Sequence, residues 1–206
     1  TDESLPVKDR MTQEKLVTVE QGTTLEQAKK VLQEHRIEKL LVVDNEGNLA
    51  GLITVKDIQK KEDFPNSCKD KSGRLRVGAA LSVTEDFLER AQELHSKEVD
   101  VIVVDTAHGH SLGVLNQIKE IKKSIPALQI IGGNIATGDG AKALIDAGTD
   151  CVKVGIGAGA SCTTRIVAGI GVPQLTAVMD CVDEAKKNDI PVIADGGIRY
   201  LSLIHI

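Results

Sequence analysis

The chain has 206 residues and a formal net charge of −5, with 41% apolar and 27% charged residues. That balance excludes a disordered chain, and its mild acidity excludes a broad basic surface for nucleic acid. No stretch approaches the apolar run of about 18 residues that a membrane span needs, and no signal peptide opens the chain.

The N-terminal residue, Thr1, implies a start inside a longer protein. Phe64, Phe87 and Tyr200 are the only aromatic residues, so the core is built from Val, Ile, Leu and Ala, as in a buried parallel sheet. This also argues against aromatic stacking of single-stranded nucleic acid. Cys68, Cys151, Cys162 and Cys181 form no CxxC pair and read as reduced thiols of a cytosolic protein.

Residues 1–60 read as a small α/β unit. Leu16-Val17-Thr18-Val19 predicts a strand, and Thr23 with Glu26 has capping-box spacing. Leu25, Ala28, Val31 and Leu32 then recur at helical intervals. Leu40 to Val43 predicts a strand, Asp44 to Gly47 a turn, and Leu49 to Ile53 another strand; Thr54 precedes a last short helix. Residues 61–73, punctuated by Pro65, Asn66, Ser72 and Gly73, read as a linker in which Cys68 is an ordinary exposed thiol.

From residue 74 the pattern becomes strand, loop, helix, repeated. Strands are predicted to start near Val77, Val101, Gln129, Val152 and Val192. Ser82 and Glu85 are expected to cap a helix carrying Phe87, Leu88, Ala91 and Leu94. Leu112, Leu115, Ile118 and Ile121 mark the next helical face. Ala141, Leu144 and Ile145 mark a third helix stopped at Gly148, and Ala177, Val178, Cys181, Val182 and Ala185 a fourth. This grammar implies βαβ units and a parallel sheet, in either an α/β barrel or an open doubly wound arrangement. The last strand starts 40 residues after its predecessor, against 23 to 28 for the others. The surplus, between Gly155 and Gln174, falls on the face where parallel-sheet proteins build their sites.

That loop carries Gly155, Gly157 and Gly159, which let backbone approach a ligand, and then Ser161-Cys162-Thr163-Thr164-Arg165. Cys162 lies in polar surroundings and is the candidate nucleophile, with Arg165 a potential stabiliser of its thiolate. Cys151 and Cys181 have apolar periodic neighbours and read as core packing. Polar groups end the other strands: Asp105-Thr106, Asn134, and Asp195-Gly196-Gly197. A carboxylate there can accept ribose hydroxyls, and glycine amides can donate to phosphate. Singly each reads as a cap or turn residue; grouped beside one thiol loop they suggest a nucleotide site. His108 and His110 lack zinc-ligand spacing and read as solvated loop residues.

With these residues assembled, the chain resembles the IMP dehydrogenase family over about residues 5–200. The segments IVVDTAHGHS, QIIGGNIAT, VKVGIGAGASCTTRIVAGIGVPQLTAV and PVIADGGIRY carry the resemblance in combination. It implies an α/β fold: residues 1–60 a single cystathionine-β-synthase (CBS)-like module, 61–73 a linker, and 74–206 a partial (β/α)8 TIM barrel, about strands three to seven. It further implies NAD-dependent oxidation of IMP to XMP in guanine nucleotide biosynthesis, through a thioimidate on Cys162 with Thr164 near the base and the activated water. Asp105, Gly155, Ile156 and Gly157 would face NAD. Asn134, Ser161, Asp195, Gly196 and Gly197 would hold IMP. Backbone carbonyls of Gly157, Gly159 and Cys162 would bind K+. A homotetramer, a cytoplasmic location and a purine nucleotide at the CBS-like module also follow from the resemblance.

Two departures qualify it. Ala160-Ser161 stands where the family has Ser then Ile or Val, which displaces a phosphate contact by one residue. After Tyr200 the chain reads Leu-Ser-Leu-Ile-His-Ile rather than a polar helix start, which suggests truncation or an artefact. With five barrel strands the chain is expected to expose apolar edges, to be marginally stable and to turn over weakly or not at all. GMP reductase is the neighbouring alternative, disfavoured because that family is expected to lack the CBS-like segment. A regulatory nucleotide-binding CBS protein, or an inert partial gene product, are the others.

Overall fold

The computed structural model describes residues 5–12, 14–71 and 73–200. Thr1, the linker's Ser72 and the terminal residues 201–206 lie outside the described residues. The chain divides into two compact units, residues 1–69 and 70–206.

In the first unit, strand β1 (Thr18–Glu20) pairs in parallel with β2 (Lys39–Val43), which pairs antiparallel with β3 (Leu49–Thr54). Helices α1 (Leu25–His35) and α2 (Val55–Asp63) supply Ala28, Leu32 and Ile58 to a small core shared with Leu40. The capping box of α1 is formed by Thr24 and Gln27, one residue later than the sequence suggested. Thr23 is engaged in the preceding turn, where its Oγ1 donates to Glu20 O at 2.7 Å, so the next threonine takes the cap. Thr54 and Asp57 form a second capping box, and the helix it starts continues to Asp63, inside the segment expected as linker.

Among the described residues the second unit contains five strands: β4 (Gly78–Leu81), β5 (Val101–Asp105), β6 (Gln129–Ile135), β7 (Cys151–Val154) and β8 (Val192–Ala194). They lie in sequence order and every pair is parallel. A doubly wound sheet reverses its strand order; this one does not. Parallel strands in sequential order joined by crossover helices are the arrangement of an α/β barrel. Those helices are α3 (Phe87–Ser96), α4 (Leu112–Ser124), α5 (Gly138–Asp146), the short α6 (Thr164–Val167) and α7 (Gln174–Ala185). Ile102, Val104, Ile130, Val152 and Val154 point into one core with Ile118, Ile121, Leu144, Ala177 and Cys181.

Two helix expectations need correction. Helix α3 starts at Phe87 after Asp86 rather than at a Ser82–Glu85 cap, because the chain first makes a turn in which Phe87 N–H donates to Thr84 O. On α4 the buried stripe is Val114, Gln117, Ile118 and Ile121, whereas Leu112 is 74% exposed. Leu112 occupies the first turn, one helical step off the stripe that meets the sheet.

At the opposite end of the sheet from the chemistry, a device recurs. Asp100 and Asp150 each precede a strand, and each accepts an N–H near the start of the strand before it, from Val77, just ahead of β4, at 2.8 Å and from Ile130, the second residue of β6, at 2.7 Å. Their own N–H groups donate back to Val77 O and Ile130 O. These reciprocal bonds satisfy backbone groups at the sheet's open end.

Candidate active site

The C-terminal ends of β5 to β8 bring four side chains together. Asn134, at the end of β6, donates from Nδ2 to Gly155 O at 2.8 Å and to Asp195 Oδ2 at 2.9 Å. Lys153, on β7, donates from Nζ to Asp105 Oδ1 at 2.9 Å and to Asp195 Oδ2 at 3.0 Å. Asp105 and Asp195 are about half exposed, whereas the Lys153 side chain is only 14% exposed. A largely covered cation thus sits under two carboxylates that face solvent.

The electrostatics follow. The Asn134 and Lys153 hydrogen bonds hold the Asp195 carboxyl below its ordinary range. Burial pulls the Lys153 ammonium down, but its bonds to Asp105 and Asp195 outweigh that and leave it raised. Both protein bonds to Asp195 land on Oδ2, so Oδ1 retains its acceptor capacity. Asn134 uses both amide hydrogens within the protein, while its buried Oδ1 has no partner.

Lys153 is the residue the sequence reading missed. Its signal was available: one cation inside the apolar strand Cys151–Val154. Alternation puts it on the sheet face away from the helices, where it can pair only with groups from neighbouring strand ends.

The thiol loop forms the second half. Cys162 is half-buried, with Sγ 3.3 Å from Thr164 Oγ1, and its N–H donates to Gly159 O at 3.1 Å. Hydrogen bonding from the Thr164 hydroxyl, then from the Thr164 and Gly157 backbone, holds this thiol below its ordinary value. Arg165 is not among the causes, contrary to the expectation from sequence. Its stem lies over two glycines: a Cβ on Gly157 or Gly171 would lie 2.5 or 2.4 Å from Arg165 Cγ. Burial pushes Cys181 up to about 12 and raises Cys151 as well, which leaves both as core thiols. Cys68 is exposed.

The two halves meet backbone to backbone. Gly196, at φ +73°, packs so closely that a Cβ there would sit 3.0 Å from Gly159 Cα. Gly197 lies over Ala158 and Gln174. Ile156 packs its side chain against the core, so only its backbone faces the loop side. Ser161 is exposed. His108 and His110 are exposed with ring centroids 6.4 Å apart, and the described residues contain no cluster of three or more His, Cys, Asp or Glu suited to a metal ion.

A separate cavity of about 430 Å³ lies between α5 and α7, lined by Asp139, Asp180, Asp183, Glu184 and Lys187 among others. Its acidic wall repels a phosphate, and it holds no nucleophile. Among the described residues no helix is long and apolar enough to cross a membrane.

Comparison with known proteins identifies the family. The family model described as the IMP dehydrogenase / GMP reductase domain matches residues 12–205. Inosine-5'-monophosphate dehydrogenase of Aquifex aeolicus is 56% identical over 199 residues, covering 97% of this chain and 41% of that protein. The Bacillus subtilis protein of the same name is 56% identical over 200 residues with the same coverage. The chain therefore spans about two fifths of the length of these relatives. A crystal structure of Trypanosoma brucei GMP reductase C318A with guanosine 5'-monophosphate superposes with a TM-score of 0.82 at 40% identity, covering 96% of this chain and 41% of that one. At 96% coverage that match must include most of the first unit. The expectation that GMP reductases lack a counterpart of residues 1–60 is thereby overturned, and the presence of that unit does not separate the two activities.

Proposed function

The chain belongs to the IMP dehydrogenase / GMP reductase family, and on that premise we propose that it carries the thiol and ribose-binding part of an IMP dehydrogenase site serving guanine nucleotide synthesis. Cys162 Sγ attacks C2 of the purine of IMP; a C–S bond forms and C2 becomes tetrahedral. The C2 hydrogen leaves with its electron pair, for which a nicotinamide cofactor held at the Asp105 side would be the acceptor. Water then adds to C2 of the thioimidate, the C–S bond breaks, and XMP leaves with the thiolate restored. Thr164 holds the sulfur and lies where the base and attacking water meet.

The observation that carries this reading is Asp195: Asn134 and Lys153 both bond its Oδ2, which fixes a half-exposed carboxylate and leaves Oδ1 to accept a ribose hydroxyl. Gly196 and Gly197 supply amides toward the phosphate, and exposed Ser161 stands in for the displaced family contact. Asp105 fits the ribose of NAD: its carboxylate is about half exposed, with one oxygen on Lys153. The backbone of Gly155, Ile156 and Gly157 borders the same edge. For K+, Gly157, Gly159 and Cys162 offer carbonyls, but Gly159 O already accepts the Cys162 N–H, so a cation competes with or shares that bond.

The remaining parts of the proposal concern the whole protein: a CBS module at residues 1–60 taking a purine nucleotide, a partial (β/α)8 barrel at 74–206, a homotetramer, and a cytoplasmic location. The second reading, GMP reductase, is favoured by the Trypanosoma brucei match; the 54–58% identities to curated IMP dehydrogenases favour the first.

Binding is the test suited to a chain of this span. Iodoacetamide labels Cys162 and Cys68, read site by site by mass spectrometry. IMP is expected to slow labelling of Cys162 and leave Cys68 unchanged. Equal labelling of Cys162 with and without IMP overturns the reading; protection by GMP alone moves it to GMP reductase.

A further inference from the structure

We infer that Gln174 is a positioning residue that locks the ends of β7 and β8 together and so sets the placement of Asp195. The inference rests on the proposed role of Asp195 for its functional part only.

The backbone creates the need. The β7–β8 ladder ends with Asp195 N–H donating to Val154 O at 2.8 Å. Alternation sends Gly155 N–H to Ile135 O on β6, and the next β7-side amide in register, that of Ile156, makes no backbone bond to Asp195 O among the described residues. Gln174, the first residue of α7, supplies one from a side chain: Nε2 donates to Val154 O at 2.7 Å and to Asp195 O at 3.3 Å. The side-chain amide acts as the missing rung, and Val154 O accepts two bonds, one from each side.

Packing fixes the arrangement. Gln174 is 7% exposed. A Cβ on Gly155 would lie 2.4 Å from Asp195 O and 3.4 Å from Gln174 Nε2, and one on Gly197 would lie 2.8 Å from Gln174 Cβ. Only glycine lets both strand ends close over this residue. Gln174 Oε1 is buried without a partner. An apolar residue of the same length would avoid that desolvation cost, so stability alone does not explain an amide here. The donor explains it: an amide is the uncharged side chain of this length that can donate to both carbonyls.

The test is Gln174→Met, with Gln174→Glu as a second variant that keeps the length and an acceptor but, when ionised, has no donor. Amide hydrogen exchange is read by peptide over residues 154–157 and 194–197, beside thermal melting and equilibrium dialysis with IMP. Expected are cooperative melting close to the parent chain, exchange in both segments faster by about tenfold, and IMP affinity lower by about tenfold, the scale of one lost net interaction. Unchanged exchange in a variant that melts cooperatively overturns the positioning role. If Gln174→Met does not fold, Gln174→Glu decides; global unfolding of both also overturns it, because the role is then not local. If the parent chain fails to bind IMP yet exchange rises as expected, the positioning role stands and the functional reading of the site falls.

Discussion

Asn134 Nδ2 donates to Asp195 Oδ2 at 2.9 Å, joining residues 61 positions apart in the chain. The same amide also holds Gly155 O, so one side chain ties the ends of β6, β7 and β8. In the proposed site ligand recognition rests on this arrangement, and its removal should show in both binding and stability.

Asn134→Leu deletes both bonds and the unpaired acceptor. Freed from Asn134, Asp195 keeps only Lys153. The expected loss of IMP affinity is about 10- to 100-fold, corresponding to one or two charge-assisted bonds. Equilibrium dialysis checks it, and unchanged affinity would remove Asn134 from the site.

The Cys162 thiol should titrate below the ordinary thiol value of 9.0, because the Thr164 hydroxyl and nearby backbone favour the thiolate. The rate of iodoacetamide labelling against pH gives the midpoint directly. Thr164→Val removes the hydroxyl and should move that midpoint upward while leaving the backbone contributions. Cys151 and Cys181 should stay unlabelled until the chain unfolds, since burial raises both.

Lys153→Met removes the cation beneath Asp105 and Asp195. The Asp195 carboxyl is lowered in the folded chain, so its ionised pairing stabilises the fold above the ordinary carboxylate range and is lost as pH falls. Without Lys153 that loss should begin at higher pH. The carboxylate is 46% exposed, so screening limits the effect to less than about 1 kcal/mol. Acid-unfolding midpoints of the two chains test this, and identical midpoints would contradict it.

Asp150→Ala acts at the other end of the sheet. It deletes the bond to Ile130 N–H and the 2.7 Å ion pair with Lys122. Stability should fall by about 1–3 kcal/mol, while the pH midpoint of Cys162 labelling stays where it is. A shift in that midpoint would show the two ends to be coupled.

How much of this was legible in advance differs by kind of residue. Helices and strands were, because the period of apolar residues is written locally: Ala141, Leu144 and Ile145 mark α5, and Gly148, at φ +101°, ends it. The caps were legible only to within a residue, since Thr23 and Thr24 both suit the role and the turn decides between them. Leu112 was misread because a helix face is fixed by what it packs against. Lys153 and Gln174 were passed over because their partners come from other strand ends, far along the chain.

The sequence by itself determined the two-unit organisation, the parallel α/β grammar, and the thiol loop, since hydrophobic period, glycine spacing and residue chemistry act over a few residues. Only the tertiary structure decided that the sheet runs in sequential order, that Thr164 rather than Arg165 tunes Cys162, and that Lys153 and Gln174 brace the strand ends. Hydrogen bonds and ion pairs depend on distances of about 3 Å between groups, and such distances exist only once the chain has folded.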